Sequence, residues 1–393
     1  MLDELLAYLN PEQIVSANLG VSRLSSLGSR VISLHQKGIE IQPNDVVIVG
    51  INESRNSPYP TKLNSPDTIR QYLLGLSAIN FKGKLVDAGN IVETKTPAQT
   101  YNATVDVIKL LRQKGAIVIV LGGTQEITES IYRGYKSSQK LITLSVVDSR
   151  IDSDNDTVDF HSLNYLNRLL AEDSLSLFDL SLIGYQGYFV DPGKIDRLRK
   201  FGCELLRLGY VRGNYREVEP TLRNSDIVSF DLGAIRGADS PGNVALSPNG
   251  LYAEEACQLT RYAGIGDRTS CLGVFEYNTD NDPTRQSALL AAQLVWHFIE
   301  GVAQRSVDKL NTQNTGIKKF IINSGTPGVD LIFYRNEMSD TWWFEIPVGS
   351  NTAFGERKNI IVPCSSSDYV TAGKQEIPER WLRFMQKVQA LNG

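Results

Sequence analysis

The chain alternates short, almost wholly apolar runs with longer segments whose apolar residues recur at helical spacing. The runs lie at 45–50, 84–87, 115–121, 141–147, 177–183, 204–209, 226–230 and 270–276. A strand covered on both faces has no polar side to display, so unbroken apolar composition marks parallel strands sandwiched by helices. Segments 97–114, 125–135, 195–201, 251–263 and 284–301 carry the helical pattern between them. Strand, helix and strand repeated in this way predict an α/β fold in three layers, α/β/α, with a mostly parallel sheet joined by right-handed crossovers.

The polar residues that interrupt this pattern gather where the strands end. Run 115–121 leads into Gly122-Gly123-Thr124-Gln125-Glu126, run 141–147 into Asp148-Ser149-Arg150-Ile151-Asp152, and run 226–230 into Asp231-Leu232-Gly233. Run 270–276 ends in Glu276. Open α/β sheets bind ligands just beyond the carboxyl ends of their strands, so these clusters are expected to converge on one cavity. Segment 148–159 holds Asp148, Asp152, Asp154, Asp156 and Asp159 with Arg150 as its only cation. Asp148 and Asp152, nearest the strand end, are the site candidates, while the other three read as a solvated acidic loop. Three close carboxylates raise one another's pKa. Arg150 is therefore expected at the centre of Asp148, Asp152 and Asp231 as their counter-charge, with Gln125 extending the network. Segment 52–64, polar and rich in Ser, Pro and Asn, is expected to form a wall of the pocket.

The pattern divides the chain into three. Residues 1–43 read as a helical extension for packing or assembly, with helix-like spacing at 3–10 and 24–34. Residues 44–303 form the α/β domain. Residues 304–393 form a C-terminal extension: a polar linker at 304–316, a β-hairpin from 331–334 and 341–346, and a final helix at 378–391. Trp342, Trp343 and Phe344 give that hairpin a packing or contact face.

Composition narrows the function. A net charge of −4 without a basic block gives no footprint for nucleic acid. No apolar run reaches membrane-spanning length, and the first residues lack the layout of an export signal. The four scattered cysteines, Cys203, Cys257, Cys271 and Cys364, then read as reduced thiols of a cytoplasmic protein. Only His35, His161 and His297 are available as imidazoles, too few and too dispersed for a histidine-rich metal site.

The strand-end motifs, taken in order, resemble the arginase, agmatinase and formimidoylglutamase family, the ureohydrolases. That family carries Gly-Gly-Asp-His, Asp-Ala-His-x-Asp and Ser-x-Asp-x-Asp. The counterparts here are Gly122-Gly-Thr-Gln125, Asp148-Ser-Arg-Ile-Asp152 and Ser229-Phe-Asp-Leu-Gly233. The likeness runs from about 45 to 301 and takes in Asn64-Ser-Pro-Asp-Thr-Ile-Arg70, Asn249-Gly-Leu-Tyr-Ala-Glu-Glu255 and Gly273-Val-Phe-Glu276. The resemblance implies an arginase-like fold, hydrolysis of C–N bonds in linear amidines or guanidines, two manganese ions bridged by carboxylates, and a homo-oligomer. It also implies that Glu276 grips a cationic substrate group and that His161 shuttles protons. Of the family's six metal ligands, however, only Asp148, Asp152 and Asp231 are present. Gln125 and Arg150 stand at the histidine positions and Gly233 at an aspartate position. Three aspartates with one arginine carry about −2, which balances one divalent ion at most. Three functions follow: a hydrolase with one ion or an unusual site, a pseudoenzyme serving in binding or assembly, or a receptor for a small cationic metabolite.

Overall fold

The computed structural model describes residues 2–12, 15–60, 65–137, 141–154, 159–171, 176–308, 316–325, 329–349, 354 and 359–391. Asn64 and Asp156 lie outside them. Within these residues the strands, in chain order, are β1 (Leu9–Asn10), β2 (Val31–Ser33), β3 (Val46–Gly50), β4 (Leu85–Ile91), β5 (Ile117–Leu121), β6 (Ile142–Val147), β7 (Leu177–Tyr185), β8 (Glu204–Arg207), β9 (Ile227–Asp231), β10 (Cys271–Phe275), β11 (Ile317–Asn323), β12 (Asp330–Asn336), β13 (Thr341–Pro347) and β14 (Asn359–Cys364). The first ten form one sheet in the order β1-β4-β3-β5-β10-β9-β6-β7-β8, with β2 added beside β4. Every pairing in it is parallel except that of β1 with β4.

Alternation along the strands divides the core in two. Val47, Val49, Val118, Val120, Leu144 and Val146 face the helices Pro97–Gln113, Ile127–Lys136 and Tyr165–Ala171. Val46, Ile48, Ile117, Ile119 and Leu272 face Ser65–Gly75, Ala253–Ile265 and the long helix Gln286–Asp308. The three layers expected from the apolar runs are therefore the observed architecture. Among the described residues no helix is long and apolar enough to cross a membrane.

The ends of the chain depart from the sequence reading. Helix Leu2–Leu6 is short, and the apolar spacing at 24–34 yields two single 3-10 turns and β2 instead of a helix. Gly28 and four serines in that stretch are poor helix formers, and pairing with β4 overrides the pattern. His35 consequently sits in a turn, its Nε2 3.3 Å from the carbonyl of Ala88. At the other end the predicted hairpin is the centre of a four-stranded antiparallel sheet, β11-β12-β13-β14. Its apolar face, with Phe333, Trp342, Phe344 and Val362, packs on the helices Ser366–Gly373 and Glu379–Ala390 and on Phe178 of β7.

Candidate functional site

Register brings the site together. In the parallel pairing Val147 of β6 lies beside Phe230 of β9, and Asp231 of β9 lies beside Phe275 of β10. The next residues are Asp148 and Glu276, so three acids stand on adjacent strand ends, each pair of strands about 4.8 Å apart. On the far side of β10, Val274 pairs with Leu121 of β5, which leads through Gly122 and Gly123 to Gln125. This turn needs glycine. Gly122 and Gly123 hold φ of +79° and +76°, and a Cβ on Gly123 would lie 2.3 Å from Ile127 Cδ1. Glu276 itself adopts φ +62°, a conformation uncommon for a side-chain-bearing residue and concentrated at functional sites.

Each strand-end acid has one oxygen held by the protein. Asp148 Oδ1 accepts from the Arg150 N–H at 3.0 Å, Asp231 Oδ1 from the Gly233 N–H at 2.6 Å, and Glu276 Oε1 from the Gln125 N–H at 2.8 Å. Their second oxygens, and both oxygens of Asp152, accept no hydrogen bond among the described residues. Asp148, Asp152 and Asp231 are buried and Glu276 is part-buried, and burial lifts all of them above the usual carboxylate range. Asp148 is pushed up to about 6, with the Arg150 N–H and charge opposing. Glu276 is pushed up to about 8, burial being reinforced by Glu126 and Asp148. For Asp152 and Asp231, burial is joined by the charges of Asp148 and Glu276, and both are raised well above the usual carboxylate range. The carboxylates thus sense one another. Crowding these carboxylates together favours their protonated forms unless a cation joins them.

Arg150 is not at their centre. Its guanidinium lies 4.4 Å from the centroid of Phe189, part-exposed, and makes no ion pair among the described residues. Its charge reaches Asp148 and Asp231 but is only a lesser influence on each. Phe189 pairs edge-on with the exposed Tyr188 at 4.7 Å, so aromatic surface competes with the acids for the cation. The expected ring of carboxylates around Arg150 is corrected accordingly.

Gln125 is fully buried. Its Nε2 donates to Ser229 Oγ at 3.2 Å, and its Oε1 has no partner. The space beside Gly233 is taken by Asn243, whose Nδ2 donates to Asp231 Oδ1 at 3.4 Å and to the Glu276 carbonyl at 3.2 Å. A Cβ on Gly233 would lie 3.0 Å from Asp231 Oδ1 and 3.1 Å from that amide. His161 lines a cavity of about 420 Å³ with Arg55, Asn56, Ser57, Asp154 and Phe160, and its Nδ1 accepts from the Leu163 N–H at 3.2 Å. Residues 55–58 of the loop after β3 line this cavity, and the charge of Asp154 helps to raise Asp152.

Two participants carry no motif. Asn243 comes from a loop, and Tyr165 opens a helix whose phenol is buried, unpartnered and influenced by all four acids. Only the rule that a buried hydroxyl needs a partner could have drawn attention to Tyr165.

The arginase family model matches residues 44–300. The chain belongs to the arginase family. A formimidoylglutamase of Staphylococcus aureus (strain MRSA252) is 27% identical to it over 251 residues, covering 60% of this chain and 78% of the relative. Among solved structures, a Trypanosoma cruzi formiminoglutamase variant with manganese superposes with a TM-score of 0.62 at 21% identity, covering 68% of this chain and 96% of the other. Bacillus subtilis formimidoylglutamase gives 0.63 at 18% identity, covering 77% and 98%. Proclavaminate amidino hydrolase from Streptomyces clavuligerus gives 0.59 at 19%, covering 72% and 100%. These likenesses show the arginase fold.

The raised acids of this arginase-family site predict a stability that depends on pH. A carboxyl whose folded pKa exceeds its unfolded one near 4 binds protons more tightly when folded, so its contribution is complete below about pH 4. It is lost as pH rises through about 6 for Asp148 and about 8 for Glu276. Glu276→Gln removes one of the mutually repelling charges and is expected to stabilise the unliganded protein at pH 8 by roughly 1–3 kcal/mol, with little effect at pH 5. Thermal melts at both pH values check this, and a variant less stable at pH 8 would contradict it.

Proposed function

We propose that this arginase-family protein binds a small organic cation, an amine, amidine or guanidine, among Asp148, Asp152, Asp231 and Glu276. It does so without the two-manganese hydrolysis of linear amidines that the family resemblance implies. The observation that carries this reading is the cluster of three buried aspartates and the part-buried Glu276, each with at least one oxygen free to accept. A ligand with several N–H donors would satisfy those oxygens and supply the missing positive charge. Asp152, with both oxygens free, would anchor it, and the unpartnered Gln125 Oε1 offers a neutral acceptor beside it.

Solved relatives from Trypanosoma cruzi carry manganese, and the resemblance implies six ligands. Among the described residues no group of three or more His, Cys, Asp or Glu is arranged to hold a metal ion. Gln125 and Arg150 stand where the family resemblance implies histidines, and Asn243 directs an amide donor at Asp231. These residues do not fit two manganese ions. Three aspartates with free oxygens support a second reading, an amidine hydrolase with a single ion. The metal content of purified protein after manganese exposure and desalting separates the readings. Cation binding predicts essentially none and the second reading predicts one ion per chain. Two ions would overturn both.

A further inference from the structure

Spare acceptors and spare donors are kept apart around the strand-end acids. The second oxygens of Asp148, Asp231 and Glu276, both oxygens of Asp152 and Gln125 Oε1 are acceptors without a donor. The spare donors belong to Arg150. Its guanidinium makes no hydrogen bond or ion pair among the described residues. Arg150 is part-exposed, and none of its nitrogens is a buried atom sealed off without a partner.

This cation is fixed beside the acids. The Arg150 N–H donates to Asp148 Oδ1 at 3.0 Å, and its guanidinium lies 4.4 Å from the Phe189 ring centroid. The ring is held in turn. The Gln186 N–H donates to the Ser149 carbonyl at 2.9 Å and the Phe189 N–H to the Gln186 carbonyl at 2.9 Å, so the 3-10 turn Gly187–Phe189 after β7 is tied to the end of β6. Tyr188 packs edge-on against Phe189, its hydroxyl donates to Gln186 Oε1, and Gln186 Nε2 donates to the Asn249 carbonyl at 3.1 Å. An aromatic ring attracts a guanidinium but supplies no oxygen for its N–H groups. The Arg150 charge is felt at Asp148 and at Asp231, lowering both, so a ligand among those acids lies within its range.

A second unpaired guanidinium provides a contrast. Arg207 lies beside the same turn, where a Cβ on Gly187 would be 3.2 Å from its Nη2. It lines a cavity of about 320 Å³ with Tyr185 and Asp196, and its charge is not among the main influences on Asp148 or Asp231.

We propose that Arg150 is a specificity-determining residue of the cation site, taking a carboxylate carried by the same ligand whose cationic group enters among the acids. The planar fork of a guanidinium matches a carboxylate in two parallel hydrogen bonds. The inference rests on the cation reading above and narrows it from organic cations to zwitterions.

Calorimetric titration of the chelator-treated full chain, in chloride buffer free of carboxylate and phosphate, tests it with two ligand pairs. L-Arginine differs from agmatine, and guanidinoacetate from methylguanidine, by one carboxylate. In at least one pair the carboxylated member is expected to bind roughly fivefold to tenfold tighter, the range of a part-exposed charge-assisted contact. Arg150→Met, which keeps a favourable contact with the Phe189 ring, should abolish or reverse that preference, because the acids alone repel a carboxylate. Arg150→Lys should keep part of it, and Arg207→Met should keep it. No preference in either pair, a preference that survives Arg150→Met, or one lost equally in Arg207→Met would overturn the assignment while agmatine or methylguanidine still binds. Failure of all four ligands to bind would reject the cation site itself and this inference with it.

Discussion

A variant carrying Gln125→His, Arg150→His and Gly233→Asp is expected to gain manganese-dependent stability that the natural chain lacks. The three changes install the donors that the family resemblance implies at the ends of β5, β6 and β9, where parallel register already brings the other acids together. They also exchange one positive charge for one negative charge. That takes the set from about −2 to about −4, enough for two divalent ions, and imidazole with carboxylate suits manganese. The geometry shows where the change is hardest. A side chain at position 233 starts 3.1 Å from the Asn243 amide, so Asn243 must yield by a few tenths of an ångström. Without metal the variant should be less stable than the natural chain, because the added carboxylate joins acids already pushed above their ordinary range. With manganese at about 100 times its Kd, binding to the folded state alone returns about 2.7 kcal/mol. Thermal unfolding with and without manganese reads this directly. A melting point that ignores the metal would mean that the strand ends do not form the site described. Arg150→Ala alone should cost only about 0.5–1 kcal/mol. The guanidinium rests on Phe189 and not in a buried ion pair, so only the cation–π contact is lost.

Arg383→Ala is expected to be among the most destabilising single changes outside the apolar core. Arg383 fastens the final helix to the edge of the large sheet. Its Nη1 lies 2.5 Å from Asp179 Oδ1 and its Nη2 3.3 Å from Glu204 Oε2, with Lys387 Nζ 3.3 Å from the same Asp179 oxygen. Asp179 is buried, which alone would raise its pKa, yet Arg383 and Lys387 hold it below the usual carboxylate range. Removing the arginine leaves that carboxylate underneutralised, and breaking a buried pair costs about 3–5 kcal/mol. Lys387 remains, so the lower end is expected. A depressed carboxyl contributes stability above its unfolded pKa near 4 and loses it as pH falls through the folded value. The natural chain should therefore lose stability on acidification below about pH 4, and Arg383→Ala should lose less there. Denaturant midpoints at pH 7 and pH 3.5 test both statements. An equal loss in both proteins would contradict the assigned role of Asp179.

How much of this was legible depends on whether the signal was local. The apolar runs of β3, β5, β6, β9 and β10 mark their strands because burial on both faces leaves no polar position to confuse with a helix. The acids that follow them are tied to the strand ends, so Asp148, Asp231 and Glu276 could be expected together once the sheet was expected to be parallel. What depends on distant segments was not legible. Nothing near Arg150 announces that Phe189 offers a ring, and nothing near Gly233 announces that Asn243 fills the space beside it. The strand β11 escaped notice because Lys318, Lys319 and Asn323 interrupt and bound its short apolar run and leave it an exposed edge. Segment 24–34 misled because spacing alone does not weigh the glycine and serines against a neighbouring strand.

The claim that the strand-end acids serve an organic cation, and not a pair of metal ions, is tested most directly by calorimetric titration of agmatine into chelator-treated protein. Saturable single-site binding in the absence of metal, lost in Asp152→Asn, is the predicted result. Binding that appears only after manganese is restored would contradict it.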